Sequence, residues 1–377
     1  MAIADGTVIG TKTVVDHGDA SKRWNLVILG DGYQSSELTQ YAAHVQQFVT
    51  SLQATPPFDV LWPAINIYRV DVASDHSGAK NPVACGGDGA APATYFDATF
   101  CSDGQTQRTL SCNNAIARET AKAQVPQFHM IMVIVNSTVY GGTGGQVAVC
   151  SVAPDAALIA IHEMGHTAFG LADEYEYYAG CGKDDSDHDH QPAGVEPSAP
   201  NVTASSARDS LKWHHLVDAN TPLPTTSNPN CSLCDPRTTS PVADGVVGAF
   251  EGAAYVHCGA FRPAFDCMMR NLGAPYCAVC REAIQHSLKP FLPRPIITSV
   301  SPSRGPASGG TRIKINGSGF YRATVIRFGT VEATPELGGT DTEVSVISPA
   351  GHGAIHLSVV TLAGPSPSAS ADLFTYE

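Results

Sequence analysis

Charge is scarce in this 377-residue chain: Asp, Glu, Lys and Arg together make up 15%, and 22 basic residues face 35 acidic ones, for a net charge of -13. Such a deficit of Lys and Arg excludes nucleic acid and anionic membrane surfaces as expected partners. No apolar run reaches the roughly 18–20 residues that a membrane span needs. The opening MAIADGTVIG has neither a basic stretch nor an apolar one, so no signal peptide is read there. The glycine-rich tract Tyr140–Gly145 lacks the Lys-Ser/Thr ending of a phosphate loop; it reads as a flexible lip of a cleft, or an edge where backbone meets substrate. A Gly-x-Ser-x-Gly nucleophile elbow is missing too. With 43% hydrophobic residues, 35 Gly and 26 Pro, the chain is nonetheless globular and loop-rich rather than disordered, and long enough to bury a large core.

What the chain does have is His162-Glu163-Met164-Gly165-His166, followed by Gly170 and then Asp173-Glu174-Tyr175. Positions i and i+4 share a face of a helix, so the imidazoles of His162 and His166 can converge on one metal ion. Two neutral ring nitrogens and a carboxylate oxygen suit zinc, and a catalytic zinc keeps its fourth position for water. Glu163 projects near that water and can take its proton. The approach Ala153–Ile161 is apolar, as a buried helix requires. The bland alternative is a solvated helix with two unrelated histidines. Gly170 argues against it, because positive φ there lets the chain leave the helix and turn back. That turn delivers Asp173 or Glu174 as third ligand. Adjacent side chains on extended chain point opposite ways, so one of the two faces the metal, and the shorter Asp173 is the better match.

Further on, Cys267-Met268-Met269-Arg270 precedes a new helical stretch. A methionine on a tight turn can pack its polarizable thioether beneath a metal site; ordinary core filling is the plain alternative. Together with Val27–Tyr33 (VILGDGY), Asn66–Val70 with Ser74 and Ser77-Gly78, Val135–Ser137 with Tyr140–Gly142, and Tyr276–Glu282, these segments resemble the IgA-peptidase family of zinc metallopeptidases, of the metzincin clan. The resemblance runs to about residue 290. It implies an α/β (α+β) metzincin-like domain that hydrolyses peptide bonds, with one catalytic zinc on His162, His166 and Asp173. Glu163 would be the general base and Met269 the methionine of the turn. The immunoglobulin substrate that names the family is not implied. In the metzincin pattern HExxHxxGxxH/D the glycine and third ligand stand three and six residues after the second histidine. Here Gly170 and Asp173 stand four and seven after His166, a turn one residue longer. Many metzincins carry a tyrosine two residues past the turn methionine. Asn271 stands there, which leaves Tyr276 as the candidate for transition-state support.

All eleven cysteines precede residue 281, many in Gly/Pro/Asp-rich loops. Disulfides staple such chain in oxidising compartments, so the protein is expected to be secreted or extracytoplasmic. The odd count leaves one thiol over, with Cys150 as its candidate. The rival is a structural zinc site from the pairs Cys231/Cys234 and Cys277/Cys280, although the spacing between the pairs is wide for a ribbon or knuckle. Asp184–His190 alternates oxygen ligands with histidines; calcium or a second zinc could bind there, but EF-hand spacing is lacking and a solvated acidic loop is the plainer reading. His214-His215 reads as a surface pair, and His257 as a donor near the metal.

Strands are expected at Trp24–Leu29, Ile65–Val72 and Phe128–Val135, with helices at Ser36–Leu52 and Glu119–Gln124. The polar, turn-rich stretch 176–210 does not read as a second ligand-bearing helix. Pro290–Pro295 is a stiff linker, after which cysteine disappears and short strands with Gly/Ser punctuation take over. Residues 295 to 377 resemble an IPT/TIG domain, which implies an immunoglobulin-like β-sandwich in an accessory or substrate-positioning role. The expected division is therefore 1–290 for the metallopeptidase domain, 291–295 for the linker and 296–377 for the sandwich. The expected partner is a protein or peptide substrate. The alternatives are a non-catalytic secreted binding or adhesion protein on a peptidase scaffold, and a zinc hydrolase of a non-peptide amide.

Overall fold

The aliphatic runs that read as strands form the centre of a six-stranded mixed sheet. A computed structural model describes residues 5–178, 180–182 and 189–377. Strands β1 (Gly6–Val15), β2 (Trp24–Asp31), β3 (Ile65–Ser74), β4 (Met130–Val135), β5 (Gly142–Thr143) and β6 (Ala148–Ser151) lie in the order β1-β3-β2-β4-β6-β5. β3, β2, β4 and β6 are parallel neighbours, while β1 and β5 pair antiparallel at the two ends. Parallel strands covered on both faces read as unbroken apolar runs, and every residue of β2 and β4 is buried.

Five helices accompany the sheet among the described residues: α1 (Leu38–Ala54), α2 (Phe58–Leu61), α3 (Asn114–Gln124), α4 (Ala156–Phe169) and α5 (Ala278–Leu288). α3 starts earlier than its periodicity suggests, because the Asn113 side chain caps it by accepting from Ile116 N–H. Ala117 and Ala121 of α3 share a core with Val27, Leu29, Ile131 and Val133. Leu26, Ile28, Met132 and Ile134 alternate with these and face the other side. There Tyr41 of α1 donates to Ile28 O at 2.9 Å, and α4 packs on α1 and β6. The end of β2 is an anchor: buried Asp31 accepts from Phe96 N, Ala98 N and Thr94 Oγ1 at 2.8–2.9 Å, tying down the loop that follows β3.

Between α4 and the hairpin of β7 (Phe250–Ala253) and β8 (Val256–Arg262), the described residues form 3-10 turns at Arg208–Ser210 and His214–Leu216 rather than α-helix. Disulfides Cys181–Cys234 and Cys231–Cys258 staple this region, and Cys85–Cys101 closes an earlier loop. The four-cysteine zinc site considered from sequence is therefore overturned: Cys231 and Cys234 are consumed in disulfides with other partners. Cys150 is a free thiol, as are Cys112, Cys267, Cys277 and Cys280.

The chain divides into two compact units. One takes in the chain up to Asp59 together with Ile65–Ser287; the other combines Val60–Ala64 with Leu288–Glu377. The second is built on strands β9 (Ile296–Ser301), β10 (Arg304–Gly305), β11 (Arg312–Ser318), β12 (Val325–Phe328), β13 (Val331–Ala333), β14 (Glu343–Ile347), β15 (Ala354–Thr361), β16 (Gly364–Pro365) and β17 (Leu373–Tyr376). One sheet has the order β14-β11-β9, the other β10-β17-β15-β12-β13 with β16 on β15. Inward residues of both, among them Ile313, Ile315, Val346, Phe328, Val359 and Phe374, make one core.

Candidate functional site

Helix α4 carries His162, Glu163 and His166 and ends at Gly170, whose φ of 63° puts it in the left-handed region. Its N–H bonds His166 O and that of Leu171 bonds Gly165 O, both at 3.1 Å, so the helix closes on a glycine cap and the chain reverses. The reversal brings Asp173 back against the two histidines. His162 Nε2, His166 Nε2 and Asp173 Oδ1 lie 3.0–3.3 Å from one another.

The protons on these groups follow from their other contacts. His162 Nδ1 is 3.0 Å from Met268 O and His166 Nδ1 is 2.7 Å from Leu171 O. A carbonyl only accepts, so each Nδ1 carries the proton and each Nε2 presents a lone pair to the centre. Asp173 Oδ1 is buried there without a hydrogen-bond donor. Three acceptors thus converge where a positive charge is needed. Burial alone would lower the His166 imidazole, but without a cation Asp173 overrides it and lifts its pKa to about 9, so a proton stands in on Nε2 until a metal displaces it. Burial likewise pushes Glu163 above the usual carboxylate range, against the pull of both histidines.

Beneath the trio, Met269 is fully buried. Gly165 permits this approach, because a Cβ there would stand 2.7 Å from Met269 Sδ. Glu174, next to Asp173, points the other way: its Oε1 accepts from Asn201 Nδ2 at 2.9 Å, and its N–H bonds Met269 O at 2.8 Å. Tyr276 lies apart from the cleft. It is fully buried and its hydroxyl donates to Ile161 O at 2.7 Å, which overturns its candidacy for transition-state support: that hydroxyl is spent on the helix backbone.

The trio and Glu163 open into a cleft of about 740 Å³, lined also by Arg108, Tyr140, Tyr175 and Tyr255. Two of these residues, Tyr255 and Arg108, carry no signal in the sequence that marks them as part of the site. Tyr255 sits on the β7–β8 turn, where Ala254 and Tyr255 both have positive φ, at 51° and 67°, and its hydroxyl donates to Asp173 Oδ2. Such turns are ordinarily marked by Asn or Gly, and neither is present. Arg108 lies on an irregular loop and donates to Tyr178 O at 3.1 Å. The glycine-rich tract forms the wall beside α4. A Cβ on Gly142 would meet Glu163 Oε1 at 2.9 Å, and one on Gly144 would meet His166 Cβ at 2.5 Å.

Other sequence candidates lie elsewhere. His257 Nδ1 donates to Cys231 O at 2.9 Å and does not line the cleft, and His215 pairs with Glu282 at 2.9 Å. Of the proposed calcium loop, Asp184 to His188 fall outside the described residues. His190 bridges Cys258, and Asp189 O accepts from Cys258 N–H at 3.0 Å. Among the described residues no helix is long and apolar enough to cross a membrane.

No curated protein matches the chain. Solved structures match in part: the Plexin A4 extracellular region at 22% identity over 22% of this chain and 10% of that one, with a TM-score of 0.20. An auxiliary nutrient binding protein from Bacteroides ovatus matches at 20% identity over 22% of this chain and 21% of that one, with a TM-score of 0.18. A protein named SGBP-B, from a complex xyloglucan utilization locus in Bacteroides uniformis, matches at 18% identity over 46% of this chain and 41% of that one, TM-score 0.19. The chain thus spans less than half the length of each, and at these scores none bears on its function. The family profiles are more informative: IPT/TIG domain matches residues 295–376, and IgA Peptidase M64 matches 13–232 and 238–288. The match to the second covers well over half of the sequence, and the chain belongs to the IgA peptidase M64 family, with a TIG domain at its carboxy-terminal end.

Proposed function

We propose that this peptidase is a secreted, zinc-dependent endopeptidase whose metal is held by His162, His166 and Asp173 and whose general base is Glu163. The observation that carries the reading is the convergence of two imidazole nitrogens and one carboxylate oxygen, on buried His162, half-buried His166 and buried Asp173, beside a carboxylate that opens into a cleft. A zinc ion about 2.0–2.1 Å from each of three tetrahedral ligands sets those ligands roughly 3.3 Å apart, and the separations here are 3.0–3.3 Å. The donor set of two imidazoles and one carboxylate fits a catalytic zinc, and the backbone carbonyls on both Nδ1 atoms fix the required tautomer. When bound, zinc supplies Lewis acidity for the scissile carbonyl and the attacking water.

The chain's own residues do the rest. Glu163 accepts the water's proton and passes it to the leaving amine; its burial raises its pKa, which makes it a stronger base for the first transfer. Tyr255 orients Asp173 through its hydroxyl. The Gly142–Gly145 wall brings backbone close to the site, leaving room for an extended peptide. A metzincin-like arrangement fits the methionine beneath the helix, and three disulfides fit an oxidising compartment. The sandwich of β9–β17 serves as an accessory module that positions substrate. Zinc content should track cleavage of a denatured protein substrate: chelation should abolish it and added zinc restore it. Full activity in the metal-free protein would defeat the reading.

A further inference from the structure

A second cluster lies directly behind the first. Glu174, Cys267, Cys277 and Cys280 are all buried, and one ligand atom from each lies within 4.8 Å of the others. Cys267 Sγ and Cys280 Sγ are 3.8 Å apart, while Glu174 Oε1 is 3.2 Å from Cys280 Sγ and 3.9 Å from Cys277 Sγ. We propose that these four residues form a closed, structural metal site for a thiophilic divalent cation of the zinc class.

Four observations support this. A tetrahedral zinc with bonds of about 2.3 Å to sulfur sets two sulfurs roughly 3.8 Å apart, and with about 2.0 Å to oxygen sets sulfur and oxygen roughly 3.5 Å apart; the Cys267–Cys280 separation matches the first, and the two sulfur–oxygen separations, 3.2 and 3.9 Å, bracket the second. Backbone amides point at the sulfurs, Cys277 N–H at Cys267 Sγ and Cys280 N–H at Cys277 Sγ, 3.3 and 3.4 Å away, as thiolate ligands require. Cys277 and Cys280 also sit at the start of α5, where the helix dipole favours thiolate. The fourth observation is Glu174 Oε2, a buried carboxylate oxygen with no hydrogen-bond partner. Leaving such an atom unpaired is costly, and a cation removes the cost. Buried Arg262 acts on Glu174 electrostatically and offsets the excess negative charge of three thiolates and a carboxylate. Four protein ligands leave no open position, which is the mark of a structural rather than a catalytic ion.

The ligands show what the ion would hold together. Glu174 follows Asp173; Cys267 precedes Met268, whose carbonyl fixes His162; Cys277 and Cys280 begin α5. One ion would clip the return turn, the methionine turn and the last helix of this unit. The proposal does not depend on the catalytic reading, since no residue is shared.

The test uses the full chain. Cobalt substituted into the wild-type protein should give a thiolate-to-cobalt charge-transfer band in the near ultraviolet. His162, His166 and Asp173 include no sulfur, so that band reports the second site alone. Metal analysis should find two zinc ions per chain, and one in the His162→Ala/His166→Ala double variant, which should keep the cobalt band. Loss of the band in Cys280→Ser would add support. A wild-type protein without a sulfur–cobalt band, or peptide mapping that finds any two of Cys267, Cys277 and Cys280 joined as a disulfide, would overturn the site. If only the second site fails, zinc falls to one ion per chain and chelator-sensitive cleavage persists; if only the catalytic reading fails, the cobalt band persists without cleavage.

Discussion

Asp173 and Glu174 are neighbouring carboxylates with opposite surroundings. Asp173 meets two imidazole lone pairs and the Tyr255 hydroxyl, whereas Glu174 meets Asn201 and three sulfurs. Extended backbone turns adjacent side chains to opposite sides, so the alternation itself separates the two roles. This much was legible in the sequence, since Gly170 and the spacing to Asp173 are local features. The destination of Glu174 was not, because its sulfur partners come from residues far along the chain. Asp173→Ala should lose zinc from the His162/His166 pair and abolish cleavage. The loss should exceed the roughly 10–100-fold in affinity that removal of an outer-sphere partner costs. Titration with a zinc-buffered chelator series measures it, and unchanged affinity would remove Asp173 from the ligand set.

At the scale of elements, α4 is readable because everything that makes it is close in sequence: an apolar approach, two histidines on one face and a glycine cap. The wall facing it is harder to see. β5 has two residues, too few for any alternating pattern, and its place beside α4 follows from pairing with β6. The β7–β8 turn lacks the Asn or Gly that usually announces two positive φ angles, so the tyrosine it delivers carries no local signal. Gly142 tests this wall. An added methyl would stand 2.8 Å from Ile159 Cγ2 and 2.9 Å from Glu163 Oε1. Gly142→Ala should cost about 1–3 kcal/mol by overpacking and displace Glu163. Turnover should therefore fall while zinc content stays whole. Steady-state kinetics alongside metal analysis separates that outcome from simple metal loss.

At the scale of the molecule, the sequence reading drew its boundary at a proline-rich linker, and the compact units divide nearby, at Leu288. What composition could not reveal is that Val60–Ala64, early in the chain, groups with the carboxy-terminal unit. Trp62–Ala64 packs on the Lys289–Phe291 turn of that unit, so a cut before this turn would remove a neighbour of that buried segment. A chain ending at Leu292 keeps the turn and every residue of the proposed site. It should fold and cleave short peptides at close to the full-length rate, losing efficiency only on large protein substrates. A folded, zinc-loaded truncation without activity on short peptides would make the sandwich part of the catalytic site.

The central claim is that Glu163 moves the proton while His162, His166 and Asp173 hold the zinc. Glu163→Gln keeps the size of the side chain and removes the proton acceptor, leaving all three ligands intact. Zinc stoichiometry and turnover of a short peptide should be measured on the same preparation of this variant. The expected result is wild-type zinc with turnover reduced by about 10²–10⁴-fold; wild-type zinc with near-native turnover would contradict it.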